Sequence, residues 1–236
     1  MTEPTRRYAL YFAPPQDNPW WSLLSRWLGY DACTGKDVQP LNVATIRAAD
    51  QRAITEHPRH YGGHATLKAP FRLAPQCSEQ ELLEAVGVYA AHRNAFLLPG
   101  LKVEHLKHFI ALVPSSADVR INRIADECTM QFDRFRAPPS DAEIARRLRE
   151  PLDALSLELL SKWGYPHVLQ RYQFHLSLTG SLTVYPQQLT TDALQATRDI
   201  FAPLYDVAVP FDAICVFRQN KAEERFMLIH RAAMAS

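Results

Sequence analysis

An α+β fold built on a duplicated lobe is predicted by three observations. Short apolar stretches of strand length alternate with segments whose apolar residues recur at helical spacing. The order strand, helix, strand, strand occurs twice. Each occurrence opens on a strand carrying His-x-Thr/Ser-x-apolar: His64-Ala65-Thr66-Leu67 and His175-Leu176-Ser177-Leu178. At 236 residues the chain has room for one large domain or two small lobes. With 47% hydrophobic and 22% charged residues, it is neither disordered, collagen-like nor coiled-coil.

The elements follow in order. Tyr8–Phe12 reads as a strand stopped by Pro14-Pro15, and Trp20, Leu23, Leu24 and Trp27 mark a helix that Gly29 ends. Residues 30–45 read as loop and 46–57 as a short helix. A strand then runs over His64–Phe71. Ser78 with Glu81 three residues later forms a capping-box signal for a helix over Glu79–Arg93. Strands follow at Phe96–Val103, broken by Pro99-Gly100, and at His108–Val113, with a helix at 117–133. Beyond Pro138-Pro139, Ser140 caps a helical segment to about Trp163 that Pro151 must kink or split. The second half repeats the order: a strand at Gln173–Thr179, a helix near Leu189–Ala202, and strands at Asp212–Arg218 and Arg225–Arg231.

Composition excludes several functions. Lys and Arg number 26 against 25 Asp and Glu, a net charge of +1, which lacks the charge excess that grips duplex nucleic acid. Apolar runs such as Phe109–Val113 and Ala213–Phe217 are strand-sized, so no membrane span is expected. The stretch from Met1 into Tyr8–Phe12 is too short for a signal-peptide core. Cys33, Cys77, Cys128 and Cys215 lie far apart without a CxxC pair and read as free, buried thiols of a reducing cytoplasm.

The two motifs carry the chemistry. On a strand, residues i and i+2 share a face. His64 and Thr66 therefore point one way, with Ala65 and Leu67 toward the core; His175 and Ser177 do likewise, with Leu176 and Leu178 opposite. Each strand offers one group that moves protons near neutral pH beside one hydroxyl that binds an oxyanion. A single such histidine is ordinarily a satisfied, half-buried strand residue; two matched motifs in matched contexts point to a site. Lys68 shares strand parity with His64 and Thr66, which makes it either a substrate-phosphate ligand or a solvated strand end. Tyr61, ahead of Gly62-Gly63, is free to contact a ligand.

Other patterns fail. His60 and His64 have a helical zinc spacing, but Gly62-Gly63 interrupts the helix, so no metal site is expected. Gly29–Asp37 has five residues between its glycines and Asp37 where a phosphate loop needs Ser or Thr. No GxGxxG or GxSxG is present, and no cofactor is expected.

The paired motifs and the repeated order resemble the 2H phosphoesterase superfamily over most of the chain. Arg7-Tyr-Ala-Leu-Tyr-Phe-Ala-Pro14, Trp27–Asp31, Thr34-Gly35, His64–Phe71 and Phe174–Gly180 are similar to a bacterial subfamily of unknown function associated with phosphonate metabolism. The resemblance implies a bilobal, pseudo-twofold α+β fold: two antiparallel sheets around a central cleft, with helices outside. It implies one domain over 1–236, with lobe 1 at about 61–135 and lobe 2 at about 170–234; the helical insertion at about 138–165 is where this chain departs from the simplest members of the superfamily. The insertion lids the cleft or acts as scaffold through Leu152, Leu155, Leu159 and Leu160. By the same resemblance His64 and His175 are the catalytic acid–base pair, and Thr66 and Ser177 hold phosphate oxygens. The implied activity is metal-independent hydrolysis of a small cyclic phosphate, with 5-phosphoribosyl 1,2-cyclic phosphate from phosphonate breakdown as the leading substrate. Its alternatives are a nucleoside 2′,3′-cyclic phosphate or RNA-end phosphodiesterase or ligase, and a non-catalytic module binding a phosphorylated ligand or RNA end. The partner expected is a small cyclic phosphate, with neither a membrane nor long nucleic acid.

Overall fold

The computed structural model describes residues 6–149 and 151–236; Met1–Thr5, part of the stretch read for a signal peptide, lie outside the described residues. In chain order the elements are β1 (Arg7–Phe12), α1 (Pro19–Leu28), β2 (Tyr30–Asp31), β3 (Lys36–Asp37), α2 (Ala48–Ile54), α3 (Glu56–Arg59) and β4 (Ala65–Phe71). Next come α4 (Glu79–Ala91), β5 (Phe96–Leu97), β6 (Leu101–Leu106), β7 (Phe109–Pro114), α5 (Val119–Gln131), α6 (Asp141–Arg147) and α7 (Ala154–Trp163). Last are β8 (Leu176–Ser177), α8 (Gln187–Phe201), β9 (Pro210–Phe211), β10 (Ala213–Gln219) and β11 (Met227–Ala233).

Local chemistry sets the helix ends. The Asn18 side chain accepts from the Trp20 amide at the start of α1, and Gly29 takes the left-handed φ of +73° that closes it. Ser78 and Glu81 form the full capping box of α4, as their spacing predicts. Ser140 and Glu143 form a second box on α6. The segment over 141–163 splits on either side of Pro151, and Asp153 caps α7 by accepting from the Ser156 amide.

The large sheet differs from the expected pair of sheets. Seven strands join in one antiparallel sheet in the order β11-β10-β1-β4-β8-β7-β6; β2-β3 and β5-β9 form two small sheets. The two motif strands, β4 and β8, are therefore direct neighbours within one sheet. The halves also interlock. The second half's motif strand β8 pairs with the first half's hairpin β6–β7, while the second half's hairpin β10–β11 continues the sheet beyond β1 and β4. Helix α4 packs on β10 and β11, α8 on β6, and α5 on β4. Strand β8 is shorter than the stretch read for it, because the amides of Leu178 and Thr179 both donate to the Ile110 carbonyl and the ladder stops there.

The main core lies between the sheet and its helices, where Leu10, Phe12, Leu67 and Leu176 meet Leu82, Ile124, Trp20 and Trp27. A smaller apolar cluster on the opposite face gathers Ala9, Tyr11, Tyr30, Cys215, Phe217 and Phe226. All four cysteines are free; Cys128 and Cys215 are buried as expected, whereas Cys33 and Cys77 are only half-buried. Among the described residues no helix is long and apolar enough to cross a membrane.

Strand parity fails at one place, with a consequence for the site. Tyr11 pairs with Thr66 but Leu10 pairs with Lys68, so one step along β1 matches two along β4. This bulge turns Leu67 and Lys68 to the same, helix-covered face. Lys68 is 3% exposed, and its ammonium donates to the Thr129 carbonyl at 3.0 Å and pairs with Asp133 at 3.1 Å. The expectation that Lys68 shares the face of His64 and Thr66 is overturned: it ties β4 to α5. Asp133→Ala leaves that buried charge without its counter-ion and is expected to cost about 3–5 kcal/mol in urea unfolding. Adding Lys68→Met to the same chain is expected to recover part of the loss.

Candidate active site

Antiparallel pairing of β4 with β8 sets Ala65 opposite Leu176. One residue either way along that register, His64 faces Ser177 and Thr66 faces His175. Diagonal neighbours across an antiparallel pair stand about 7–8 Å apart, which places the two histidines at that spacing on one face. All four motif side chains are half-buried, while Ala65, Leu67, Leu176 and Leu178 are buried on the other face. The alternation read from the sequence holds in both motifs, and the fold brings the motifs together.

The two histidines are held alike. Nδ1 of His64 lies 2.9 Å from the Gly62 carbonyl, and Nδ1 of His175 lies 2.8 Å from the Gln173 carbonyl. A carbonyl only accepts, so each Nδ1 carries the proton and donates it. Each neutral ring therefore keeps the lone pair on Nε2. Thr66 Oγ1 lies 3.4 Å from His64 Nε2. Gly62 makes the first contact possible: its φ is +80°, and a Cβ there would stand 2.7 Å from that of Ala32.

Each histidine also has an aromatic neighbour from an adjoining strand. Tyr11 of β1 stacks on His64 with ring centres 3.9 Å apart, and Phe109 of β7 lies 5.3 Å from His175. Burial pushes His64 down to about 4 against the opposing pull of the Gly62 carbonyl; nearby His175 and His57 add to the lowering. Burial lowers His175 as well, against the Gln173 carbonyl. Tyr61, singled out in the sequence, stands 5.6 Å from His64 and stacks on Phe226 at 5.1 Å. Lys68 is the one named residue that the fold takes away from this face.

Sequence reasoning missed Tyr11, Phe109 and Arg7. Tyr11 and Arg7 alternate with the core residues Tyr8, Leu10 and Phe12, so their common face was readable; that this face adjoins His64 was not. The insertion borders the same face. Arg146 and Glu143 of α6 act electrostatically on Arg7, and Arg147 and Tyr165 act on Tyr11. Its Leu159 and Leu160 are buried and its Leu152 and Leu155 half-buried. Arg218, by contrast, pairs with Glu79 of α4.

The family described as protein of unknown function (DUF1045) matches residues 66–227. Two curated relatives are each named ribose 1,5-bisphosphate phosphokinase PhnN. The protein from Janthinobacterium sp. (strain Marseille) is 36% identical over 221 residues, 93% of this chain and 49% of that protein. The protein from Laribacter hongkongensis (strain HLHK9) is 35% identical over 222 residues, 94% of this chain and 50% of that protein. The chain thus spans about half the length of the curated relatives it matches.

The proton in each histidine site sets a pH dependence. The unfolded His64 titrates near about 6.5 and the folded one near 4, so between those values the unfolded chain holds the extra proton. The His64 contribution to stability is complete above about 6.5 and falls as pH drops toward 4. Proton NMR of the free protein is expected to show His64 titrating far below an ordinary histidine. Millimolar inorganic phosphate is expected to move that titration upward, because an adjacent anion favours the imidazolium.

Proposed function

The chain belongs to the family described as protein of unknown function DUF1045, and on that premise we propose that it is a phosphodiesterase of the 2H type that opens a small cyclic phosphate. The observation that carries the reading is the β4–β8 register, which sets His64 opposite Ser177 and Thr66 opposite His175. Nε2 of one neutral histidine takes a proton from water as the water oxygen bonds to phosphorus. The ester P–O bond opposite breaks. Nε2–H of the other histidine, protonated for its turn, supplies the proton to the departing oxygen. The Gly62 and Gln173 carbonyls hold both rings through Nδ1–H, in the neutral and the charged state alike. Thr66 and Ser177 donate their hydroxyl protons to the non-bridging oxygens. Both proton transfers are assigned to side chains, so the mechanism calls for no metal.

The leading substrate is 5-phosphoribosyl 1,2-cyclic phosphate, which places the enzyme in phosphonate breakdown. Water attack with cleavage of the bond to O2 leaves phosphates on C1 and C5, which is ribose 1,5-bisphosphate. That product is the compound in the name of the two relatives, of which this chain matches half. The kinase activity in that name is not carried over, since Gly29–Asp37 departs from the nucleotide-phosphate loop at its spacing and at Asp37. A chain that forms ribose 1,5-bisphosphate suits relatives of about twice its length whose name is that of the enzyme that phosphorylates this compound.

His64→Ala and His175→Ala are each expected to lower turnover by about 10²-fold or more while the fold persists. Thr66→Ala and Ser177→Ala are expected to lose less, since each removes one hydroxyl donor worth about 1.5–3 kcal/mol to a charged group. Activity is expected to persist in EDTA and to show a bell-shaped dependence on pH. The decisive assay compares kcat/KM on 5-phosphoribosyl 1,2-cyclic phosphate with that on nucleoside 2′,3′-cyclic phosphates. Preference for the nucleotides would replace the sugar substrate, and binding without turnover on any cyclic phosphate would replace the enzyme by a binding module.

A further inference from the structure

Arg7 opens β1 and alternates with Ala9 and Tyr11 on the face that carries His64. Its guanidinium is half-buried, with Nε donating to Gln219 Oε1 at 2.7 Å and Cζ 5.4 Å from the centre of the Phe226 ring. Tyr61 stacks on the same Phe226 ring and lies against His64, so two aromatic side chains, Phe226 and Tyr61, lead from the guanidinium to the motif histidine. The orientation of Arg7 is fixed from behind. Gln219 is fully buried, and its amide nitrogen donates to the Ala222 and Glu224 carbonyls at 3.1 and 2.6 Å and lies 2.9 Å from His60 Nε2. Its oxygen is thereby left for Arg7.

Arg7 has no matching carboxylate among the described residues. Among the described residues it forms no ion pair, although burial pulls its pKa down and so penalises its charge. Glu143, the carboxylate that acts on Arg7 from α6, is engaged by Arg72 at 3.2 Å and by the Ser140 amide at 2.8 Å. Two more cations come from the insertion. Arg146 and Arg147 line one hollow with Phe71 and Arg72, Phe71 pairs in register with Tyr8 next to Arg7, and Arg147 lies 4.5 Å over the Tyr165 ring. A half-buried guanidinium with no ion pair among the described residues, with further guanidinium groups toward the same end of the sheet, is an arrangement suited to binding phosphate.

We propose that Arg7, with Arg146 and Arg147, forms a second anion subsite beside the histidine pair and takes a phosphate monoester at the far end of the substrate. The proposal rests on the cyclic phosphodiesterase reading and narrows it to a sugar cyclic phosphate bearing a second, terminal phosphate. The subsite gives the near-neutral chain a local cationic pocket, and it assigns to Arg7 the role that strand parity had suggested for Lys68.

Two measurements on the full chain test it. The first is the ratio of kcat/KM for 5-phosphoribosyl 1,2-cyclic phosphate to that for ribosyl 1,2-cyclic phosphate, which lacks the terminal group. Arg7→Met is expected to lower this ratio by about 10- to 100-fold, the weight of a charge-assisted contact. Arg7→Lys restores part of it, and Arg146→Gln lowers it less. The second is calorimetric binding of ribose 5-phosphate, which needs no turnover; Arg7→Met is expected to weaken it about tenfold or more. A ratio unchanged by Arg7→Met, or ribose 5-phosphate affinity equal in the two proteins, overturns the subsite. A wild-type chain that hydrolyses neither cyclic compound overturns the phosphodiesterase reading, while the binding measurement still decides the subsite.

Discussion

Everything at the candidate site depends on the register of two adjacent strands. Strand periodicity is two, so a one-residue slip of β8 against β4 would send His175 and Ser177 into the core and bring Leu176 and Leu178 out. The register is held from several sides. Ala111 and Leu112 of β7 pair with Ser177 and Leu176 on the far edge of β8. Ala65, Leu176 and Leu178 are sealed under the helices. The Trp27 indole of α1 donates to the Leu178 carbonyl at 2.8 Å, which fixes the strand end where its own ladder stops. The helical face of the sheet thus fixes the chemistry of the opposite one.

That chemistry is poised by two opposing influences on each imidazole. Burial against Tyr11, Tyr61 and Phe109 removes water and disfavours charge. The Gly62 and Gln173 carbonyls favour the charged ring while specifying which nitrogen remains bare. An empty site of this kind holds two neutral rings with both Nε2 atoms available. On the proposed function, an arriving phosphate supplies the negative charge that favours protonation of one of them. In the proposed reaction, ligand charge and the protonation state of the histidine pair are coupled by this arrangement.

Much of this was legible in the amino acids, and the remainder was not for identifiable reasons. Alternation around His64 and His175, the Ser78–Glu81 box, the Gly29 terminator and the break at Pro151 are local patterns, and local patterns survive folding. The bulge at Leu67–Lys68 is a mismatch between β4 and β1, a property of two strands that neither strand displays by itself. The merging of two anticipated sheets into one is likewise a long-range pairing, since β4 and β8 meet across more than a hundred residues. Arg7 stood just outside the strand read over Tyr8–Phe12 and proves to be the first residue of β1. Its orientation depends on Gln219, its register partner on β10, which no reading of β1 alone displays.

The interlocked halves bear on how the polypeptide comes to be folded. Strand β1 lies in the middle of the sheet, and its partner β10 is reached only after most of the chain has been made; Arg7 and Gln219 are 212 residues apart. Until β10 emerges, β1 offers an open backbone edge and an uncovered apolar flank, and α4 lacks the hairpin on which it rests. Neither half can mature first and wait for the other. Contacts of this separation slow the search for the native state and lengthen the exposure of sticky intermediates. Productive synthesis of such a protein therefore hinges on protection of an early strand until a late one arrives.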